Sequence, residues 1–346
     1  MVFCLFACCI PVRGSKRAII YDFSREYWVH IPNSLAEIIT QYQGKSKTEI
    51  YALYDSKDHE VLDSYFHFLE VHEFIFYIPR KEKKRFPPIS TEWDYPAKIS
   101  NAILDIGSYD LGNALAQLTN LGCGYIQIRQ SEFDQVLDWS TILQTTAETA
   151  IFSIDLYIPF TQYDRETMEI WLSKHKRIQN IYIYGSPKHS IEHIRGRTYG
   201  NLIYVMQSLL SSVYIQDPAY FTVTTSLFIE SLHYNNYLNR KIYIDFEGNI
   251  RNAPEQEHTF GNVNKDNIAD IVDTKSFKCF WEIHKDVILV CRDCEYRYMC
   301  VDNRIPLKEP DTEIWYFNSP CAYNPYIAKW KQDPGYLPAD PKHQNI

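Results

Sequence analysis

Apolar and polar positions along the first ninety or so residues outline a set of elements before composition is considered. Residues 17–32, RAIIYDFSREYWVHIP, form two apolar runs about a polar Ser24-Arg25-Glu26 turn, which predicts a β-hairpin. Leu35, Ile38, Ile39 and Tyr42 then recur at intervals of three and four, the spacing of an amphipathic helix, with Asn33 and Ser34 as caps and Gly44 as its stop. Residues 48–54 suit a short second helix. Residues 60–71 suit a longer third one, with Val61, Leu62, Tyr65, Phe68 and Leu69 on one side. Residues 73–78 predict a closing strand, and the basic, proline-bearing run 79–88 reads as a solvated linker. Ahead of the hairpin, the apolar stretch Met1 to Val12 predicts a buried first strand. It has no basic leader region and is too short to span a bilayer.

From Ile99 the period changes. Strands at 99–106, 124–129, 151–159 and 180–184 alternate with helices at 111–121, 133–146 and 166–175. Repeats of this length build parallel sheets by right-handed crossovers, so a (β/α) barrel or part of one is expected. Such a fold keeps its site at the carboxy ends of the strands, here near Asp105, Arg129, Asp155 and Tyr184. Beyond Lys241, KIYIDFEGNIRNAP predicts a strand, a turn at Gly248 and a second strand, and EHTFGNVNKDNIADIV predicts a further turn and a short helix. The hairpin, three helices and closing strand have the order of a winged helix, and the whole reads as an α/β chain in three parts: 1–88, 89–235 and 236–346.

Composition narrows the function classes. Apolar residues at 45% and charged residues at 23% describe a globular chain with a core. With 35 basic and 43 acidic residues the formal charge is -8, which offers no electrostatic footprint for nucleic acid. Aromatic residues reach 15%, with 27 tyrosines, a side chain suited to peptide-binding surfaces. The nine cysteines follow no export signal, so cytoplasmic thiols are expected rather than disulfides.

Four of these cysteines carry the chemistry. Cys291, Cys294 and Cys300 stand as C-x2-C-x5-C, and Cys321 follows after twenty residues. The close pair can turn two thiolates toward one centre while the longer arms bring in the others. Spacing alone admits either an iron–sulfur cubane or structural zinc. Cys4 and Cys8 open a C-x3-C spacing, but its third position is Pro11, and these cysteines read as small buried hydrophobes. Cys123 and Cys279 read as core. Trp281, Tyr298 and Trp330 are expected to wall the cysteine site, and Arg129, His189 and His193 read as solvated polar positions without a catalytic role.

The segment CRDCEYRYMCVDNR, with KIYIDFEGNIRNAP and FGNV upstream and CAYNPYIAKW after it, resembles the SPASM extension of radical SAM peptide maturases. More narrowly, with the CIPVRG opening and the winged helix, nearly the whole chain is similar to the SPASM protein of grasp-with-spasm cassettes, which work with an ATP-grasp ligase on a short precursor peptide. The resemblance implies a winged helix that captures the precursor's leader as an added strand, a partial barrel of radical SAM type and a carboxy-terminal cluster domain. It implies one 4Fe–4S cluster on Cys291, Cys294, Cys300 and Cys321. A first auxiliary cluster would need cysteines where this chain has Tyr237, Ala253 and Asn303, so that cluster is expected to be missing. The radical SAM triplet C-x3-C-x2-C is also missing, which makes S-adenosylmethionine chemistry unexpected.

The expected function is therefore maturation of a ribosomally made peptide: the chain recognises the precursor leader in the cytoplasm and acts with a partner ATP-grasp ligase, without nucleic acid or membrane. The ligase would join side-chain carboxylates of the precursor to hydroxyls or amines. Two alternatives stand beside it. One is a peptide-modifying, radical SAM-like enzyme using the barrel face, and the other is a scaffold whose four cysteines form a zinc knot without redox role.

Overall fold

The computed structural model describes residues 1–131, 137–147, 149–194, 200–209 and 218–340. It divides into two compact units that cut the chain differently from the three expected segments. One comprises Met1–Trp93, Ile215–Asn236 and Ile283–Ile346, and the other Asp94–Tyr214 and Tyr237–Glu282.

In the first unit, strand β1 (Val2–Leu5) and strand β2 (Cys9–Arg13) replace the single expected strand, because the chain turns at Ala7 and Cys8. β2, β3 (Ala18–Asp22) and β4 (Tyr27–Ile31) form a three-stranded antiparallel sheet. Helices α1 (Asn33–Gln41), α2 (Lys47–Tyr51) and α3 (His59–Val71) follow, then strand β5 (Ile75–Ile78), which pairs with β1. Leu35, Ile39, Ile50, Phe66 and Leu69 pack with Ile20 and Ile31 in one core, as the helical periodicity demands. α2 is closed by a capping box of Ser46 and Glu49. Asn33 does not cap α1. Its amide donates instead to the carbonyls of Gly14 and Ser15, tying the helix start to the β2–β3 turn.

The second unit is a nine-stranded open sheet with strand order β10-β11-β9-β8-β7-β6-β12-β13-β14. Its members are β6 (Asn101–Asp105), β7 (Tyr125–Arg129), β8 (Ser153–Pro159), β9 (Ile178–Tyr184), β10 (Ser190–His193), β11 (Asn201–Val205), β12 (Lys241–Ile244), β13 (Asn249–Arg251) and β14 (Gly261–Asn262). β11, β9, β8, β7, β6 and β12 run parallel. Among the described residues the sheet does not close into a barrel. Helices α4 (Leu111–Asn120), α5 (Trp139–Thr145) and α6 (Arg165–Lys174) share one core with Leu104, Ile128, Leu156, Ile183 and Ile244. Asp110 and Asp164 cap α4 and α6 through the backbone N–H groups of Asn113 and Thr167. The expected helix 133–146 is described only from residue 137 on, and 132–136 lie outside the described residues.

Pleating sends alternate residues to the opposite face, which is polar: Asp105, Gln127, Arg129, Asp155, Tyr157, Asn180, Tyr182 and Asn201 alternate with that apolar set. No described helix is long and apolar enough to cross a membrane.

Candidate functional site

The cysteine segment follows a sharp backbone bend. Val290 has φ 68 and ψ -48, values that few β-branched residues adopt, and it leads into a 3-10 turn, Cys291–Asp293. That turn is closed by the N–H of Cys294 donating to the carbonyl of Cys291 at 3.0 Å. Another turn brings Cys300 back, its N–H donating to the carbonyl of Tyr296 at 3.0 Å. Lys285 and Asn236 both donate to the Cys300 carbonyl, at 2.6 and 3.1 Å.

The four sequence-predicted cysteines lie near one another, with no three of their sulfurs within 4.8 Å of each other. Cys291 and Cys321 line one recess with Arg304 and Phe317, and the Cys294 and Cys300 thiols each feel the charge of both. None is in a disulfide. Burial pushes the Cys291 thiol up to about 12, with Asp302 adding to the rise and Arg304 and Lys285 opposing it. Burial also raises Cys294, Cys300 and Cys321. Four buried thiols that resist ionisation alone are a donor set that a metal centre would relieve, since coordination takes the thiolate form. The N–H of Tyr323 reaches the Cys321 sulfur at 3.4 Å, an outer contact of the kind that tunes cluster ligands.

The two kinds of centre ask for different sulfur spacings. Tetrahedral zinc, with Zn–S about 2.3 Å, needs its sulfurs about 3.8 Å apart. Among the described residues, the group of three His, Cys, Asp or Glu ligand atoms lying within 4.8 Å of one another is Cys8, Cys9 and Asp22. No three of the four carboxy-terminal sulfurs are that close. A cubane attaches its thiolates to separate irons and so takes a wider set.

Around the cysteines the protein supplies compensated charge and aromatic cover. Asp302 and Arg304 are almost fully buried and paired at 2.5 Å, with the Arg304 guanidinium 4.1 Å from the Phe317 ring centre. Burial works to raise the Asp302 carboxyl, yet Arg304 outweighs it and leaves the group below its ordinary value. Tyr298 and Trp330 share a core cluster with Cys294 and Cys321, as expected of walling residues. Trp281 does not: it packs with Phe277 in the core of the other unit. Cys123 is core, but Cys279 is exposed, because Phe277 and Trp281 take the inward positions of its turn.

Sequence reasoning missed the joint between the hairpin and the cysteine segment. Val12, Ile19, Tyr21 and Phe23 share one core with Tyr296, Tyr298, Met299 and Tyr323. Arg17 pairs with the wholly buried Glu295 and donates to the Tyr296 hydroxyl at 2.7 Å, and Tyr323 donates to Glu295 at 2.5 Å. On β4, Trp28 and His30 pack on Tyr296 while Val29 and Ile31 turn to the helical core. Burial, then Arg17, lowers the His30 imidazole to about 4. Beyond β4 no further strand pairs among the described residues, so its outer edge is open.

In the second unit, Arg129 is not solvated as expected. It clasps Asp105 through two contacts, at 2.5 and 3.0 Å, and Tyr243 donates to the same carboxylate at 2.6 Å. Asp155 lies within its strand rather than at the end, and Asn180 joins it to Asn201 and His193 in a hydrogen-bonded row across β8, β9, β11 and β10. His189 is exposed. Of the positions that the resemblance assigns to a first cluster, Tyr237 donates to Glu255 at 2.6 Å and carries the Lys241 ammonium 3.5 Å from its ring centre. Ala253 is buried in this unit, and Asn303 is buried in the other.

No protein-family model matches the chain, and no curated protein matches it. Among solved structures, Streptococcus suis SuiB bound to S-adenosylmethionine is similar at 12% identity, over 86% of this chain and 94% of that one, with a TM-score of 0.38. SuiB alone and SuiB bound to the precursor peptide SuiA align over the same shares at 11% identity, with TM-scores of 0.39 and 0.27. Superpositions this loose carry no argument about the present chain.

Proposed function

We propose that this chain matures a ribosomally made peptide by recognition: it captures the leader of a precursor as a strand on the open edge of β4 and presents the peptide to a partner ATP-grasp ligase. Open sheet edges bind extended peptides through main-chain hydrogen bonds, with side-chain pockets setting register. The observation that carries the reading is the shared core of the hairpin and the cysteine segment, with β4 packed against Tyr296 on one face and free along its outer edge.

In this reading Cys291, Cys294, Cys300 and Cys321 hold one 4Fe–4S cluster. When bound, the cluster cross-links four points of the carboxy-terminal segment and can carry an electron. The chain's own residues do the rest. Tyr296 and Tyr323 cover the cysteines and orient Glu295 and Arg17, and so couple the order of the cysteine loops to the position of β4.

The test uses the full chain and the short precursor peptide of the same biosynthetic cassette. Hydrogen–deuterium exchange with and without peptide is expected to show slowed exchange of the β4 amides, 27–31. Binding that leaves those amides unchanged, or no binding, overturns the recognition role.

A further inference from the structure

A second group of ligand atoms lies at the other end of the sequence. Cys8 closes the β1–β2 turn and Cys9 opens β2, where it is the cross-strand partner of Asp22. Their sulfurs are 3.9 Å apart, and a carboxylate oxygen of Asp22 lies within 4.8 Å of both. A tetrahedral zinc with two thiolates at about 2.3 Å sets its sulfurs about 3.8 Å apart, so the pair already has the separation one ion requires.

Asp22 is wholly buried, and its two oxygens are used unequally. Oδ1 accepts from the N–H and hydroxyl of Ser24, at 3.1 and 2.8 Å, and from the N–H of Arg25 at 3.2 Å. Oδ2 accepts no hydrogen bond, although Arg25 Nε stands 2.9 Å away. Arg25 directs its remaining donors to the carbonyls of His72 and Glu73. Arg25 thus already meets this buried carboxylate with a positive charge, and Oδ2 keeps a lone pair for a further ligand. The Ser24 hydroxyl also lies 3.4 Å from the Cys8 sulfur.

We propose that Cys8, Cys9 and Asp22 form a zinc site, distinct from the four-cysteine centre. On binding, each thiol releases its proton to solvent, and two thiolates and one carboxylate around a divalent ion leave a single negative charge, which Arg25 balances from outside. The fourth position falls to water or the Ser24 hydroxyl. The ion staples the β1–β2 turn to the end of β3. The assignment is independent of the peptide-capture reading.

The test counts metals in the full chain, isolated without oxygen, reconstituted with iron and sulfide, then equilibrated with zinc and desalted. Wild type is expected to hold one zinc per chain beside its iron. C8S/C9S is expected to lose the zinc and keep the iron, C291S/C294S to lose the iron and keep the zinc, and D22N to bind zinc at least tenfold more weakly. If C8S/C9S retains as much zinc as wild type, or wild type retains none, the site is overturned. X-ray absorption at the zinc edge of wild type decides the matter without any variant: two sulfurs and two lighter atoms are expected, and four sulfurs contradict the proposal.

Discussion

Arg17 and Glu295, separated by 278 positions, meet at 2.7 Å, with the Glu295 side chain wholly shielded from solvent. This pair joins the β2–β3 turn to the loop between Cys294 and Cys300, and Tyr296 and Tyr323 close the network around it. Removing one partner of such a pair strands a buried charge and costs about 3 kcal/mol, whereas apolar replacement of both is near neutral. R17M is therefore expected to lower the urea midpoint markedly, and R17M/E295L to recover most of it. Equal losses in the single and double variants would contradict this account.

Gly14 ends the CIPVRG motif for a steric reason. A Cβ there would stand 2.8 Å from the Glu295 backbone nitrogen and 2.9 Å from the Arg17 carbonyl, both of them backbone atoms that cannot swing aside. G14A is expected to destabilise the first unit by about 2 kcal/mol, the scale of overpacking. Chemical denaturation followed by tryptophan fluorescence measures it, and a change below a few tenths would show that the joint is looser than the geometry implies.

Lys241 makes a pH prediction. Burial lowers its ammonium to about 7 from the ordinary 10.5, with Arg129 adding to the fall and Glu255 opposing it. The unfolded chain then binds more protons than the folded one between those values, so this residue's contribution rises with pH through that window. The stability of wild type relative to K241M is expected to rise from pH 6.5 to pH 9, below the range in which the raised tyrosines act. A flat difference across that window would mean the amine is solvated in the folded chain.

Val290 holds φ at 68 immediately before Cys291, a strained setting for a β-branched side chain. Glycine removes the Cβ conflict there but adds freedom to the unfolded chain. V290G is expected to keep its full iron content at unchanged or slightly higher stability, while V290P is expected to lose the iron. Iron loss in V290G would show that the valine side chain, rather than the bend, organises the cysteines.

The short-range structure was legible in the sequence and the long-range joints were not. The hairpin, α1 to α3 and β6 to β9 follow from alternation and helical period, each a property of a few neighbouring residues, whereas the caps Asn33 and Ser34 expected for α1 lie inside the helix. β10, β11 and the helix Thr225–His233 went unread because Ser190–His193 and Asn201–Val205 are short and put few residues in the core. A cut near 236 recurs between Asn236 and Tyr237, but the segments beyond it are shared out differently: Lys241 pairs in parallel with Asn101, which assigns β12 to the sheet, whereas Tyr296 packs on a hairpin at the opposite end of the sequence. The spacing of the four cysteines is itself a local signal, and what they hold is part of the proposed function. Arg17, Glu295 and the buried Arg129–Asp105 pair carry no local signal.

The proposed function rests on four thiolates near the carboxy terminus sharing one iron–sulfur centre. The most direct measurement is Mössbauer spectroscopy with iron and sulfide analysis on the full chain and on C321S, both reconstituted with iron-57 without oxygen. The account predicts about four irons and four sulfides per chain in a single cubane signature, lost in C321S. A chain that holds no iron, with a zinc bound by all four of these sulfurs, would contradict it.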